Sequence, residues 1–177
     1  GTIEPRKGHL QTIDAFEELW RQGIDVNLVI VGKEGWKGLA DEQKRTIPKI
    51  IEKIKSHKEL NKRLFWLEGI SDEYLEKVYE ASTCLIAASE GEGFGLPLIE
   101  AAQKKKPIIA RDIPVFREVA GNYGYFFQNS NDPNILQNTI KKWLELFAND
   151  QHVKSNAMPW LTWQESTKQL LTEFLGK

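Results

Sequence analysis

Two hydrophobic periods alternate along the chain. Leu10, Ile13, Phe16, Leu19 and Trp20 recur at helical spacing, and Gly23 follows as a stop, so a helix is expected there. Val26 to Val31 is a short β-branched run closed by Gly32, the pattern of a buried strand. The alternation then repeats. An isoleucine stripe at Ile47, Ile50, Ile51 and Ile54 predicts a helix, and Leu64 to Leu67 a strand ending at Gly69. Ser71 can cap a helix carrying Leu75, Val78 and Tyr79, with Asp72 and Glu73 favourably placed at its positive end. A strand from Thr83 to Ala87 leads through a glycine loop to a helix starting at about Pro97. Pro107 to Ala110 reads as a strand, Pro114 to Ala120 as a short helix, and Tyr123 to Phe127 as a last strand. Asp132 and Pro133 open a helix that reaches about Phe147. A final amphipathic helix runs from about Gln164 to Leu175.

Strands separated by helices of this length need crossover connections. The pattern therefore predicts an α/β fold, a Rossmann-like parallel sheet with helices on both faces. With no repeat or internal linker, residues 1–177 read as one domain, long enough to bury one sizeable core. Opening on Gly1 directly into Thr-Ile-Glu-Pro-Arg-Lys-Gly, the chain is expected to be a piece of a larger protein. In open parallel sheets, ligands bind beyond the carboxyl ends of the strands. That directs attention to the segments Gly32 to Gly38, Gly69 to Ser71 and Ser89 to Leu96.

Composition narrows the choice. Lysine and arginine number 24 against 25 acidic residues, a net charge of −1, so bulk affinity for nucleic acid is not expected. A lone cysteine, Cys84, rules out a disulfide framework. In the apolar run Thr83 to Ala87 it reads as an inert buried thiol. No apolar stretch approaches the roughly 20 residues that span a bilayer.

The richest chemistry lies in Ser89-Glu-Gly-Glu-Gly-Phe-Gly-Leu-Pro-Leu-Ile-Glu100. A strand ends, Gly91, Gly93 and Gly95 allow a sharp turn, and Pro97 suits the first turn of a helix. Free amides from about Phe94 to Leu96 at such a helix start form an anion site that a diphosphate would fit. Glu92 and Glu100 bracket it, with Glu100 about one turn inside the helix. Carboxylates repel phosphate, so their natural partners are hydroxyls on either side, one holding a sugar and the other a ribose. The alternative is a tight connection with two solvated glutamates, and the coincidence of acids, glycines and proline at one junction argues against it.

Glu92 and Glu100, with seven residues between them in a Glu-Gly-Phe-Gly-Leu-Pro-Leu-Ile-Glu context, resemble the paired-glutamate motif of glycosyltransferase family 4, whose members have the two-domain GT-B fold. The resemblance implies that this chain is the C-terminal, donor-nucleotide half of a retaining glycosyltransferase. It implies that Glu92 contacts the donor sugar near the reacting carbon and that Glu100 binds ribose hydroxyls, with Gly93, Phe94, Gly95 and Leu96 meeting sugar and phosphates. Gly1-Thr-Ile-Glu-Pro-Arg-Lys-Gly8 is similar to the family's first loop of this domain. Arg6 and Lys7 would then grip the departing diphosphate, where cations stabilise the developing negative charge. Many relatives carry an arginine directly after the first glycine, where this chain has Thr2, so Arg6 is taken to supply that function. Gly69 and Ile70 resemble the backbone that lines the nucleobase. Trp163 resembles a tryptophan before the terminal helix and is read as a packing anchor, and His9 as a structural or surface residue. The wording around Arg6 also resembles bacterial polysaccharide mannosyltransferases, which inclines the donor toward GDP-mannose.

No metal or cofactor is implied, because the basic pair would do a cation's work. The acceptor, a glycan or lipid-linked sugar, would meet the amino-terminal acceptor domain, which is absent from this chain. The expected location is cytoplasmic or at the inner face of the membrane. Lys44, Arg45, Lys49, Lys53, Lys55 and Lys58 surround the isoleucine stripe within residues 41–57; they either touch anionic lipid or stand in water while the isoleucines pack, and the second is preferred. Two rivals remain open on this fold: a sugar-nucleotide epimerase, and a non-catalytic nucleotide-binding or interaction module.

Overall fold

Chain order in the computed structural model, which describes residues 1–176, follows the alternation of the two periods. The helices are α1 (His9–Arg21), α2 (Ile47–Lys55), α3 (Asp72–Ala81), α4 (Leu96–Gln103), α5 (Pro114–Ala120), α6 (Pro133–Ala148) and α7 (Trp163–Leu175). The strands are β1 (Leu28–Val31), β2 (Leu64–Leu67), β3 (Leu85–Ala87), β4 (Ile108–Arg111) and β5 (Tyr125–Phe127). Local chemistry sets the ends. Ser71 accepts the Tyr74 amide and Asp132 the Asn134 amide, as the sequence anticipates. β1 begins two residues after Val26, whose carbonyl instead accepts the Trp20 indole at 2.7 Å.

All strand pairs are parallel, but they form two sheets rather than one continuous sheet: β1–β2, and β3–β4–β5. The segment before α1 bridges their carboxyl ends. Ile3 N donates to Lys33 O just past β1, and Glu90 N donates to Arg6 O just past β3, both at 2.8 Å. Gly8 makes this close approach possible: its φ is +70°, and a Cβ there would sit 2.2 Å from the Ala88 carbonyl oxygen.

β4 is buried along its whole length, as a strand covered on both faces should be. Ile109 joins the core beneath α1 and α6, while Ile108 and Ala110 join the core beneath α4 and α5, the alternation that strand geometry imposes. The first core also takes Ile30, Leu64, Phe127 and Trp143, so it runs under both sheets. Ile47, Ile50 and Ile54 of α2 are buried in it. The cations around that stripe are largely engaged within the molecule. Lys44 pairs with Glu34 and Asp41, Lys53 pairs with Asp14 and Glu17, and Arg45 and Lys55 lie over the rings of Trp36 and Trp66. Four of the six cations named there are thus engaged within the molecule, and the helix spans only Ile47–Lys55, shorter than residues 41–57.

Two expectations need correction. Trp163 does not anchor α7; it is 80% exposed, and none of the residues of α7 is buried. The helix is held locally by a Thr162–Glu165 capping box. Cys84 is only partly buried by area, at the sheet edge before β3, although its surroundings push the thiol up to about 12. No described helix is long and apolar enough to cross a membrane.

Candidate functional site

The site lies where the two sheets part, at the carboxyl ends of β1 and β3. One wall is the turn Pro5–Lys7, entered through Glu4 and left through the left-handed Gly8. The opposite wall is the Ser89–Gly95 loop and the start of α4.

Glu92 joins the walls. Its Oε2 accepts from Arg6 Nη1 at 2.8 Å, and its Oε1 from Lys7 Nζ at 2.5 Å and Ser89 Oγ at 2.8 Å. Arg6 Nη1 also donates to Gly91 O at 2.8 Å, and its Nη2 pairs with Glu4 at 3.2 Å. Burial opposes ionisation of Glu92, but the hydrogen bonds from Lys7, Arg6 and Ser89 outweigh it and hold the carboxyl below its ordinary range. The same hydrogen bond to Glu92 raises the Arg6 guanidinium.

At α4, Gly95 occupies the N-cap with φ +82° and packs against the Phe116 ring. Among the described residues the amides of Phe94, Gly95 and Leu96 have no backbone acceptor. Such amides, with the helix dipole behind them, favour an anion. Gly91 and Gly93 differ from Gly95. Neither has a positive φ, and a Cβ at either would meet nothing within 4 Å, so the turn itself requires only Gly95. What glycine at 91 and 93 leaves is open space beside Glu92.

Glu100 sits further along α4, exposed, and accepts from Tyr79 Oη at 3.0 Å. Burial first, then the adjacent Glu100 charge, pushes the Tyr79 phenol well above its usual range. Glu92 and Glu100 both act electrostatically on the Gly1 nitrogen, which lies at the mouth of the cleft. Gly69 and Ile70 lie across it, lining a cavity of about 340 Å³ with Gly1, Thr2, Gly32, Lys33 and Asp72. A larger groove of about 670 Å³ lies elsewhere, between α1 and α2, where Asp14, Glu17, Lys53 and His57 pair with one another; its charges are internally satisfied.

The structure brings Arg6 and Lys7 together with Glu92 at the start of α4 and places Gly69 and Ile70 on the adjoining cavity, and three supporting residues fall outside the expected set. Ser89 heads the glycine motif, and its position three residues before Glu92 is the signal for the hydrogen bond it makes. Tyr79, on another helix, gave none. Arg111, only 1% exposed, donates to Ala88 O at 3.0 Å, Gln11 Oε1 at 2.6 Å and Ser130 O at 2.6 Å. It clamps the exit of β3 to the first turns of α1. Nothing in the sequence distinguishes such a buried arginine from a surface one. His9, beneath the basic turn, has a buried Nδ1 without a partner; burial, with nearby positive charge adding, pushes its imidazole down to about 4. No group of three potential metal ligands occurs among the described residues.

The arrangement is the C-terminal half of a GT-B glycosyltransferase fold. The chain superposes on a sucrose-phosphate synthase from Thermosynechococcus elongatus with a TM-score of 0.74 over 99% of its length, 44% of that chain, at 22% identity. A C-terminal domain of a glycosyl transferase group 1 protein (LpcC) from Francisella tularensis matches 98% of it, 83% of that chain, with a TM-score of 0.68 and 20% identity. Residues 1–159 match the family glycosyl transferases group 1. The chain belongs to that family. It is 51% identical over 171 residues, 97% of its length, to a serotype-specific mannosyltransferase WbdA of Escherichia coli. Over 83 residues, 47% of its length, it is 39% identical to the O-antigen chain mannosyltransferase RfbU of Salmonella typhimurium, of which it spans 23%. The chain spans about one fifth of the WbdA relative's length.

Proposed function

We propose that this chain is the donor-binding half of a retaining glycosyltransferase that takes a nucleoside diphosphate sugar. The observation that carries the reading is the convergence of Arg6, Lys7 and the unbonded amides at the start of α4 on one cleft. Arg6 and Lys7 hold the diphosphate, aided by the amides of Gly93 to Leu96. Gly69 and Ile70 present backbone to the nucleobase in the cavity beside Gly32. Glu100 binds the ribose hydroxyls, with Tyr79 fixing its carboxylate. Glu92 meets the sugar.

The chemistry follows from charge. As the bond to the anomeric carbon breaks, negative charge grows on the phosphate and positive charge on the sugar. Fixed cations beside the first and a carboxylate beside the second both strengthen toward the transition state, which is what accelerates the step. Arginine and lysine supply the positive charge, so the reading invokes no metal ion. A mannosyl donor is supported by the names of the two enzymes above, and GDP-mannose is the first candidate. One relative of known structure at 20% identity, Anabaena HepE, was solved with UDP and glucose, which keeps a uridine donor in view. The acceptor, a glycan or lipid-linked sugar, would be held by another part of the full-length enzyme, working in the cytoplasm or against the membrane's inner face.

The reading is tested by calorimetry of this chain against GDP, UDP and ADP and their sugar conjugates. Binding of one nucleoside diphosphate, without sugar transfer by this chain alone, is expected. Absence of binding by all of them would sink the reading, and robust transfer by this chain alone would refute the need for a second wall to the cleft.

A further inference from the structure

The cleft carries an anion of its own on its two cations. Both Glu92 oxygens are engaged, one by Arg6 Nη1 and the other by Lys7 Nζ, and the carboxylate is only 11% exposed. Both hydrogens of Arg6 Nη1 are committed, to Glu92 and to Gly91 O, and Nη2 is engaged by Glu4. Counted together, Arg6, Lys7, Glu4 and Glu92 carry no net charge. An arriving diphosphate would therefore meet a neutralised pair flanked by a carboxylate, and like charges that close disfavour each other. Three of the five N–H donors of Arg6 are thus engaged, and a fork onto phosphate oxygens through Nη1 needs Glu92 to let go.

We propose that Glu92 is an internal stand-in for the donor's phosphate, displaced from Arg6 and Lys7 when the diphosphate arrives. The inference rests on the donor-site reading above and adds an exchange to it. The local structure permits the movement. Gly91 and Gly93 flank Glu92 with nothing packed where their side chains would be, so the carboxylate can be re-aimed without breaking the core. Ser89, 6% exposed and donating to Oε1, remains as a partner when the cations leave. The carboxylate is thereby released beside the sugar only once the phosphates are seated. Until then it stays neutralised in the empty site.

The exchange has a consequence opposite in sign to that of an ordinary ligand contact. If Glu92 competes with phosphate, removing its charge tightens diphosphate binding. The test is calorimetry on this chain with GDP and, separately, inorganic diphosphate, comparing the parent with Glu92→Gln, Arg6→Ala and Lys7→Ala at one low ionic strength. Arg6→Ala and Lys7→Ala weaken binding, while Glu92→Gln tightens it about tenfold for both probes, the scale of one charge-assisted contact removed from competition. Glu92→Ala, which removes the side chain altogether, gives a second reading should the amide pack badly, and melting curves identify any variant that is unfolded. Unchanged or weaker binding in both Glu92 variants, with the Arg6 and Lys7 losses intact, overturns the exchange while leaving the donor site standing. If Arg6→Ala and Lys7→Ala also bind like the parent, the donor-site reading itself fails, and the exchange with it.

Discussion

The two glutamates of the α4 segment are chemically identical and structurally opposite. Glu92 is 11% exposed, gripped by an arginine, a lysine and a serine, and held below its ordinary pKa. Glu100 is exposed and touches a single tyrosine hydroxyl. The first belongs to a charge network that ties two walls of the cleft together, and the second stands on a helix rim where a hydroxyl-bearing ligand can be met without breaking any ion pair. Position along one motif thus separates a carboxylate held by three side chains from one held by a single hydroxyl, and in the proposed reading the first exchanges partners while the second binds directly.

The largest expected consequence is on catalysis. In a full-length transferase Glu92→Gln is expected to lower turnover by roughly 100-fold or more, the scale seen when one group facing developing charge is removed. Steady-state kinetics checks this, and near-parent turnover would erase the distinction between the two carboxylates. Next in size is the joint between the walls. Gly8→Ala places a Cβ against the Ala88 carbonyl at a left-handed φ, and is expected to destabilise the chain by about 2 kcal/mol or more. Denaturant unfolding measures the loss, and a fall of diphosphate affinity in the still-folded variant would show that Arg6 and Lys7 have been moved away from the start of α4.

Smaller effects sharpen the contrast. Tyr79→Phe removes the hydrogen bond to Glu100 and is expected to weaken nucleoside diphosphate binding only about twofold to fivefold, leaving inorganic diphosphate unaffected because no ribose is present. The basic-turn side should also be the acid-sensitive one. His9 is pushed down to about 4 from 6.5, so on acidification the unfolded chain takes up its proton first and stability falls between those values. The stability from Glu92, whose pKa is also depressed, is fully present above the ordinary carboxylate value of 4.5 and is lost as pH falls through its lower folded value. His9→Gln should flatten the upper part of that decline in a pH series of unfolding midpoints, and an unaltered slope would mean that His9 is not held neutral.

Much of this was legible from residue order. The helix caps at Ser71 and Asp132, the apolar stripes and the β-branched runs each fix local structure through neighbours in sequence, and the elements fall within one or two residues of expectation. The glycine-capped start of α4 is legible for the same reason, since glycine at 95 and proline at 97 act on their own backbone. What was not legible depends on contacts between distant residues. Arg6 and Glu92 are 86 positions apart, and nothing in the order of residues says that the Glu92 carboxylate will rest on Arg6 and Lys7. The division into two sheets, with Gly1 to Arg6 running between their ends, escaped notice because strand pattern gives strand existence but not pairing. Trp163 misled because an apolar side chain at helical spacing looks the same whether its face is covered or, as here, exposed.

The central claim is that the two carboxylates face a diphosphate with opposite effects, and one paired calorimetric comparison tests it most directly. GDP, or whichever nucleoside diphosphate the chain binds, is titrated into the parent, Glu92→Gln and Glu100→Ala under identical low-salt conditions. The account predicts changes of opposite sign: tighter binding for Glu92→Gln, as Arg6 and Lys7 are freed, and weaker binding for Glu100→Ala, as the ribose loses its partner. Equal weakening by both substitutions would contradict it, placing both carboxylates on the nucleotide and leaving the sugar without one.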